Sequence, residues 1–107
     1  MTRNNSSLIS PVSSEDKLAL LEAFVATARR LSYAGASATL NLTPSTISRR
    51  VKRLEDSLGV QLLVRTTRRV TLTEAGELYL NQVERIIADL EEADVTAASL
   101  GTRPAGL

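Results

Sequence analysis

Apolar residues recur at helical spacing in successive stretches of this chain. The first stretch follows the hydroxyl residues Ser13 and Ser14, which favour a helix N-terminus, and it extends to about Arg30. We expect its buried face to consist of Leu18, Leu21, Phe24, Val25 and Ala28. Residues 1–14 are rich in Ser and Asn and show no periodicity, which predicts a disordered leader.

A short helix and a longer one follow, joined by a tight turn. The short helix is predicted over residues 33–40 and consists mostly of small residues. Asn41 tolerates the left-handed conformation that ends helices, and Thr43 before Pro44 is typical of an N-cap and a first helical position. A turn of about three residues between two helices is typical of a helix-turn-helix, which we place at residues 33–58.

The third helix, from Pro44 to about Leu58, has two chemically different faces. Its apolar positions are spaced four, three and four residues apart, on one side of the helix: Ile47, Val51, Leu54 and Leu58. The other side carries hydroxyl and cationic side chains: Ser45, Thr46, Ser48, Arg49, Arg50, Lys52 and Arg53. One face is expected to hold the domain together while the other stays available to a ligand. Gly59 is expected to end the helix.

Two short runs of β-favouring residues predict a hairpin, called the wing, over residues 61–72. The tip, residues 65–69, contains three arginines. Because an isolated hairpin is only marginally stable, some of its apolar side chains must contact the helices. We expect these to be Leu62, Val64 and Leu72.

The last helical pattern is the longest and covers residues 74–99, with Thr73 as its expected cap. Its apolar positions form an unbroken heptad seam: Tyr79, Val83, Ile86, Leu90, Ala93 and Ala97. A helix of about 25 residues is about 37 Å long, too long for three small helices to cover. The seam is therefore predicted to bind a partner, most simply a second copy of the chain.

The composition excludes several classes of protein. The 107 residues include no His and no Cys, so disulfides, imidazole or thiolate metal sites and Ser-His catalysis are excluded. Only three aromatic residues are present, which favours an aliphatic core of packed helices. No apolar run approaches the roughly 18 residues of a membrane span. We expect one soluble, intracellular, non-enzymatic domain with no metal and no cofactor.

The net charge of +1 hides an uneven distribution of charged residues. Residues 49–69 contain seven basic and two acidic side chains, a net charge of +5, whereas residues 70–107 contain two basic and seven acidic ones, a net charge of −5. A solvated helix face is the simplest interpretation of a charge run. On a helix-turn-helix and its wing, however, the basic patch favours nucleic-acid binding.

The second helix of a helix-turn-helix lies in the major groove, where its N-terminal residues reach base edges. The candidate DNA-binding residues are Pro44, Ser45, Thr46, Ser48, Arg49, Lys52 and Arg53 on the helix, with Arg65, Arg68 and Arg69 on the wing. Alternatives remain open for several of them. Ser45 and Thr46 suit helix capping, and Ser48 and Arg49 suit plain solvent exposure. The wing arginines suit ion pairs with Glu55 or Asp56.

The order of these residues resembles the DNA-binding domain of LysR-type transcriptional regulators. The shared pattern comprises Leu21, Phe24, Ser32, Tyr33, Ala36, Leu40, Ser45, Ile47, Ser48, Arg49, Leu54, Glu55, Leu58, Gly59, Leu62, Arg65, Leu72, Thr73, Ala75 and Gly76. The resemblance implies a bacterial, nucleoid-associated cytoplasmic regulator with a winged helix-turn-helix at residues 16–73 and a dimerising linker helix at residues 74–99.

The resemblance also implies the partners. They are double-stranded DNA with an interrupted palindrome and a second copy of the chain, or a tetramer in a full-length protein. Residues 100–107 would be a hinge to a missing effector domain that binds a small molecule. Pro44, Ser45, Ser48 and Arg49 would lie in the groove, with Arg65 and Arg68 on or near phosphates.

Three residues depart from the family pattern. Pro44 stands where the family often has Gln, Leu31 where it has a small or polar residue, and Leu63 where it has Phe. The first departure concerns base preference, and the other two concern packing. The alternative hypothesis is a helical protein-interaction module that dimerises without binding DNA.

Overall fold

A computed structural model describes residues 14–67 and 69–101. In chain order its elements are α1 (Ser14–Arg30), α2 (Tyr33–Leu40), α3 (Pro44–Leu58), β1 (Leu63–Arg65), β2 (Val70–Leu72) and α4 (Glu74–Gly101). The predicted fold class, a mainly helical winged helix-turn-helix with a long C-terminal helix, is confirmed. The leader at 1–13, Arg68 and the hinge at 102–107 lie outside the described residues. Ser14 belongs to α1, and residues 100–101 belong to α4 rather than to the hinge.

The core is mostly aliphatic, with Phe24 buried among the aliphatic side chains, and it centres on α1, which contacts α2, α3 and α4. Because α1 is covered from three sides, all of residues 23–28 are buried, including the polar Thr27, whose hydroxyl donates to the Ala23 carbonyl at 2.8 Å. The expected buried face of α1 is therefore wrong in part. Leu20 is 1% exposed, whereas Leu18 is 42% exposed.

The helix boundaries around the helix-turn-helix follow from local capping. The Ser32 hydroxyl accepts a hydrogen bond from the Gly35 amide at 2.9 Å and caps α2. Asn41, with φ of 59°, ends α2 in the left-handed conformation. Thr43 caps α3, and Gly59, with φ of 73°, ends it. The predicted turn between α2 and α3 is confirmed because each of these signals acts within a few residues.

The wing is an antiparallel hairpin in which Leu63 pairs with Leu72 and Arg65 pairs with Val70. The strand β1 includes Arg65, which we expected at the tip. Side chains alternate across a strand, so Val64 faces solvent while Leu63 is buried. The expectation that Val64 contacts the helices is therefore wrong, whereas buried Leu62 and partly buried Leu72 do pack on the core.

The N-terminus of α4 is joined tightly to the wing. The Thr73 hydroxyl accepts from the Gly76 amide at 2.9 Å and donates to the Gln61 carbonyl at 2.7 Å. A Cβ atom on Gly76 would lie 2.1 Å from the Leu62 carbonyl oxygen, so this position requires glycine. Residues 88–101 are all exposed. None of the helices formed by the described residues combines the length and apolar character needed to cross a membrane.

Candidate nucleic-acid interface

The first turn of α3 presents a cluster of hydroxyl groups. The Thr43 hydroxyl accepts from the Thr46 amide at 3.2 Å, donates to the Thr46 hydroxyl at 2.8 Å and lies 3.4 Å from the Ser45 hydroxyl. Thr43 therefore caps the helix, while the Thr46 hydroxyl supports the cap. Ser45 and Pro44 are exposed at the same turn.

Arg49 extends back toward this hydroxyl cluster. Its Nη2 lies 3.4 Å from the Thr46 hydroxyl oxygen, to which it donates. The long hydrogen bond and the exposure of Arg49 leave most of its five donors available. Cationic and hydroxyl groups are thus combined at the N-terminus of α3, as base-edge and phosphate recognition both require.

Lys52 and Arg53 continue the basic face by one turn. Lys52 pairs with Asp56 at 3.2 Å, and Arg53 approaches Asp16 at 4.0 Å. More than half of each of these four side chains is exposed. Exposed ion pairs contribute about 0–1 kcal/mol, so both cations can exchange a carboxylate for a phosphate at little cost.

Arg65 connects the wing to both helices of the helix-turn-helix. Its Nη1 donates to the Ser48 hydroxyl at 2.8 Å, and its guanidinium carbon lies 5.1 Å from the centroid of the Tyr33 ring. Among the described residues, Arg65 forms no ion pair with Glu55 or Asp56. The alternative of such a pair is therefore wrong.

Glu55 has a role that its sequence position did not reveal. Its Oε2 accepts hydrogen bonds from the amides of Leu62 at 2.8 Å and Leu63 at 3.0 Å. The carboxylate thus attaches the start of the wing to α3. The available signal was an acidic residue beside the buried Leu54, a few residues before a strand whose first amides need acceptors.

Tyr33 packs against the core, and it has a second role, a contact with Arg65, that its sequence position did not reveal. Burial raises the pKa of the Tyr33 hydroxyl above its ordinary value, and the nearby Arg65 guanidinium offsets part of this shift. The nearby Glu55 carboxylate adds to it. Tyr33 is thus the aromatic platform on which Arg65 rests, a contact between residues 32 positions apart that no local pattern indicates.

The tip of the wing is closed by a turn between Thr66 and Arg69. The Thr66 amide donates to the Arg69 carbonyl at 2.9 Å, and the Arg69 amide donates to the Thr66 hydroxyl at 3.1 Å. The Arg69 side chain is exposed. Arg68 lies outside the described residues, so its DNA-binding role stays a prediction.

The predicted heptad seam of α4 divides into a covered part and an exposed part. Val83 is 3% exposed, and Tyr79 packs on Phe24 of α1 with a ring separation of 5.7 Å. These two residues belong to the core of their own chain, which corrects the expectation that the whole seam is available to a partner. The exposed part of the seam consists of Ile86, Leu90, Ala93 and Ala97.

The sequence matches the family model described as "Bacterial regulatory helix-turn-helix protein, lysR family" over residues 18–77. It is 43% identical over 86 residues to the HTH-type transcriptional regulator PtxR of Pseudomonas aeruginosa, covering 80% of this chain and 28% of PtxR. It is 40% identical over 91 residues to the HTH-type transcriptional regulator PgrR of Escherichia coli, covering 85% of this chain and 30% of PgrR. The chain therefore spans less than a third of the length of these curated relatives.

Two solved DNA complexes contain proteins with the same fold. The crystal structure of BenM_DBD with benA site 1 DNA gives a TM-score of 0.75 at 25% identity, covering 81% of this chain and 98% of that one. The CbnR_DBD–DNA complex gives a TM-score of 0.68 at 32% identity, covering 78% of this chain and 95% of that one. The similarity thus extends over nearly the whole of both solved chains.

Proposed function

The chain belongs to the lysR family of bacterial regulatory helix-turn-helix proteins, and we propose that it binds double-stranded DNA sequence-specifically through α3 and the wing. The observation that carries this proposal is the polar face of α3, where hydroxyl and cationic side chains are combined opposite an apolar face whose Ile47, Val51 and Leu54 are buried. The DNA complexes of the similar BenM_DBD and CbnR_DBD support it.

In this proposal α3 enters the major groove with its N-terminus foremost. The residues facing base edges are Pro44, Ser45, Thr46, Ser48 and Arg49. The residues facing phosphates or the minor groove are Lys52, Arg53, Arg65, Arg68 and Arg69. α4, which carries seven carboxylates and one arginine, is turned away from the DNA because phosphates repel its charge.

The proposal extends to the assembly and its location. Two copies pair through the exposed part of the seam on α4 and read an interrupted palindrome, which places the protein at the nucleoid in the bacterial cytoplasm. A small-molecule effector would act through a domain beyond the length that this chain shares with its relatives. Catalysis has no role in this proposal, since the relatives that the chain resembles are transcriptional regulators.

The experiment that tests DNA binding is selection of bound duplexes from a random pool, followed by titration of the selected duplex at several salt concentrations. We expect the affinity to fall with salt with a log–log slope of about −0.9 per neutralised phosphate. Arg49→Ala should weaken binding by about 1–3 kcal/mol and relax the preference for one base.

Arg85→Ala is the matched control for Arg49→Ala, because it removes an exposed arginine from α4 instead of α3. It should leave the base preference unchanged. An equal loss of affinity for selected and random duplexes in Arg49→Ala would make Arg49 a phosphate contact. Absence of salt-dependent binding to any duplex would contradict the proposed function.

A further inference from the structure

The hydroxyl of Ser48, on the polar face of α3, accepts a hydrogen bond from the side chain of a wing residue. Arg65 Nη1 donates to Ser48 Oγ at 2.8 Å, a normal distance for a strong hydrogen bond. A serine hydroxyl has one proton to donate and two lone pairs to accept, whereas a guanidinium only donates. The interaction therefore occupies an acceptor site of Ser48 and leaves its proton unused.

The unused proton has no acceptor within the described residues, among which Ser48 Oγ donates no hydrogen bond. Ser48 lies on the polar face of α3, half-buried between Arg65 and the helix surface. A hydroxyl that accepts from a cation is polarised and becomes a stronger donor. In this arrangement Ser48 is prepared to donate. A second donor at its remaining lone pair would place a partial positive charge beside the guanidinium cation, which is electrostatically unfavourable.

The position of the guanidinium is itself fixed by three elements. The Tyr33 ring of α2 lies beneath it, with a centroid distance of 5.1 Å. The backbone of Arg65 lies in β1, and β1 is attached to α3 by the bonds from the Leu62 and Leu63 amides to Glu55. Arg65 is therefore held over Ser48 by a charge–aromatic contact and by the hairpin that carries it.

We propose that Arg65 is a positioning residue that holds the Ser48 hydroxyl as a hydrogen-bond donor toward the DNA, and so determines which base Ser48 selects. This deepens the DNA binding proposed above and rests on it. In the major groove G, A and T present acceptors, whereas C presents an amino donor. The base that faces Ser48 is accordingly G, A or T, with C excluded.

The arrangement also separates two kinds of wing arginine. Arg69 is exposed, and its backbone rather than its side chain forms the turn at the tip. Arg69 acts on DNA through its charge alone, which raises the affinity for every duplex equally. Arg65 adds a preference for particular bases because it acts through Ser48.

The matched variants are Arg65→Met and Arg69→Met, each of which removes one wing cation and keeps an unbranched apolar stem. Duplexes are selected from a random pool with five proteins. These are the wild-type chain, the two arginine variants, Ser48→Ala and the double variant Ser48→Ala/Arg65→Met. Binding of the wild-type consensus and of random duplexes is then measured at one salt concentration. Circular dichroism verifies that each variant is folded.

We expect Arg65→Met to admit C at one position of the selected motif and to lower the ratio of consensus to random affinity about three- to tenfold. Arg69→Met should weaken binding to the consensus and to random duplexes equally, and so leave that ratio unchanged. Ser48→Ala should change the same position, and adding Arg65→Met to it should lower the ratio no further. Tyr33→Leu, which keeps the charge of Arg65 but removes its platform, should admit C at the same position.

Two negative results are distinguishable from each other. If wild-type protein selects no motif and binds no duplex, the proposed DNA binding is wrong. If wild-type protein selects a motif, but Arg65→Met leaves that motif unchanged and matches Arg69→Met in affinity, DNA binding stands and the positioning role of Arg65 is overturned. The positioning role would also be overturned if the two substitutions lowered the ratio of consensus to random affinity additively in the double variant.

Discussion

α3 and α4 have nearly the same apolar spacing but differ in what covers their apolar side chains. In α3 Ile47, Val51 and Leu54 are at most 1% exposed, because α1 and α2 pack against this helix. In α4 Ile86 is 61% exposed and Leu90 is 48% exposed, although they continue the same kind of pattern. A heptad-like pattern thus predicts a helix and its apolar face, but does not tell whether the partner is in the same chain.

The polar faces of these two helices differ as much as their apolar faces do. α3 carries four cations and two carboxylates, whereas α4 carries one cation and seven carboxylates. The cationic face fits a polyanion, and the exposed apolar residues of α4 fit a protein surface. The following variants test whether α3 depends on partners within the chain and α4 on a partner outside it.

The largest expected effect comes from shortening a buried leucine of α3. Leu54→Ala should lower the free energy of unfolding by about 3–4 kcal/mol, since it leaves a cavity in the core. Leu90→Ala makes the same chemical change on α4 at a site that is 48% exposed, and should cost much less in dilute protein. Urea denaturation measures both. Equal losses of unfolding free energy in the two variants would contradict the difference in burial between α3 and α4.

The next largest effect is expected where α4 begins. Gly76→Ala places a methyl group against the Leu62 carbonyl and should lower the free energy of unfolding by about 2–3 kcal/mol. Gly101→Ala, at the other end of α4, places its methyl group more than 4 Å from every described atom outside its own helix turn and should leave the thermal midpoint nearly unchanged. A small effect of Gly76→Ala would show that the wing and α4 separate easily.

Glu55 tests a polar contact that α3 makes within the chain. Glu55→Ala leaves two amides of the wing without their acceptor, which should cost about 2 kcal/mol and raise hydrogen exchange at Leu62 and Leu63. Asp56→Ala removes a neighbouring carboxylate that pairs with Lys52 at the surface, and should cost well under 1 kcal/mol. Unchanged exchange in Glu55→Ala would contradict the attachment of the wing by this carboxylate.

Ile86 tests the external partner of α4. Ile86→Asp should weaken self-association by about 1.5 kcal/mol per protomer, since it puts a charge into the exposed seam, while the far-ultraviolet circular dichroism stays helical. Ala88→Asp adds the same charge on the other side of the helix and is the control. Sedimentation equilibrium measures both. Wild-type chain that stays monomeric at high micromolar concentration would instead favour a different protein as the partner.

The smallest effect concerns a strained backbone position outside both helices. Leu31, which is 48% exposed, has φ of 51°, in the left-handed region that asparagine tolerates better than leucine. Leu31→Asn should stabilise the fold by about 0.5–1 kcal/mol, and Asn41→Leu, at φ of 59°, should destabilise it by a similar amount. Thermal unfolding measures both variants. Their changes in unfolding free energy, which arise from local backbone conformation, can then be compared with the changes caused by the packing variants above.

The sequence predicted the features whose causes are local. Asn41, Thr43 and Gly59 determine the ends of α2 and α3 within a few residues, so these boundaries agree with the structure. The buried faces of α1 and β1 were predicted less well. Whether Leu18 or Leu20 is covered depends on the three elements around α1, and the exposure of Val64 depends on how the wing attaches to α3.

The candidate interface shows the same division between features with local causes and features that depend on distant residues. The sequence predicted that the hydroxyls and cations of α3 lie together, because their spacing puts them on one helix face. The contacts of Arg65 were missed, because Ser48 is 17 residues away and Tyr33 is 32 residues away along the chain. The division of the seam was missed as well, since the pattern from Tyr79 to Ala97 is continuous although α1 covers only its first part.

The uneven distribution of charge also bears on how the proposed binding to DNA would begin. Positive charge is concentrated on α3 and negative charge on α4, and this separation gives the molecule an electric dipole moment. In the field of duplex DNA this dipole experiences a torque that turns the basic side toward the phosphates before contact. At physiological salt the field extends about 8 Å. A larger share of the encounters within that distance should therefore begin with α3 oriented toward the groove, which would raise the association rate constant rather than the residence time.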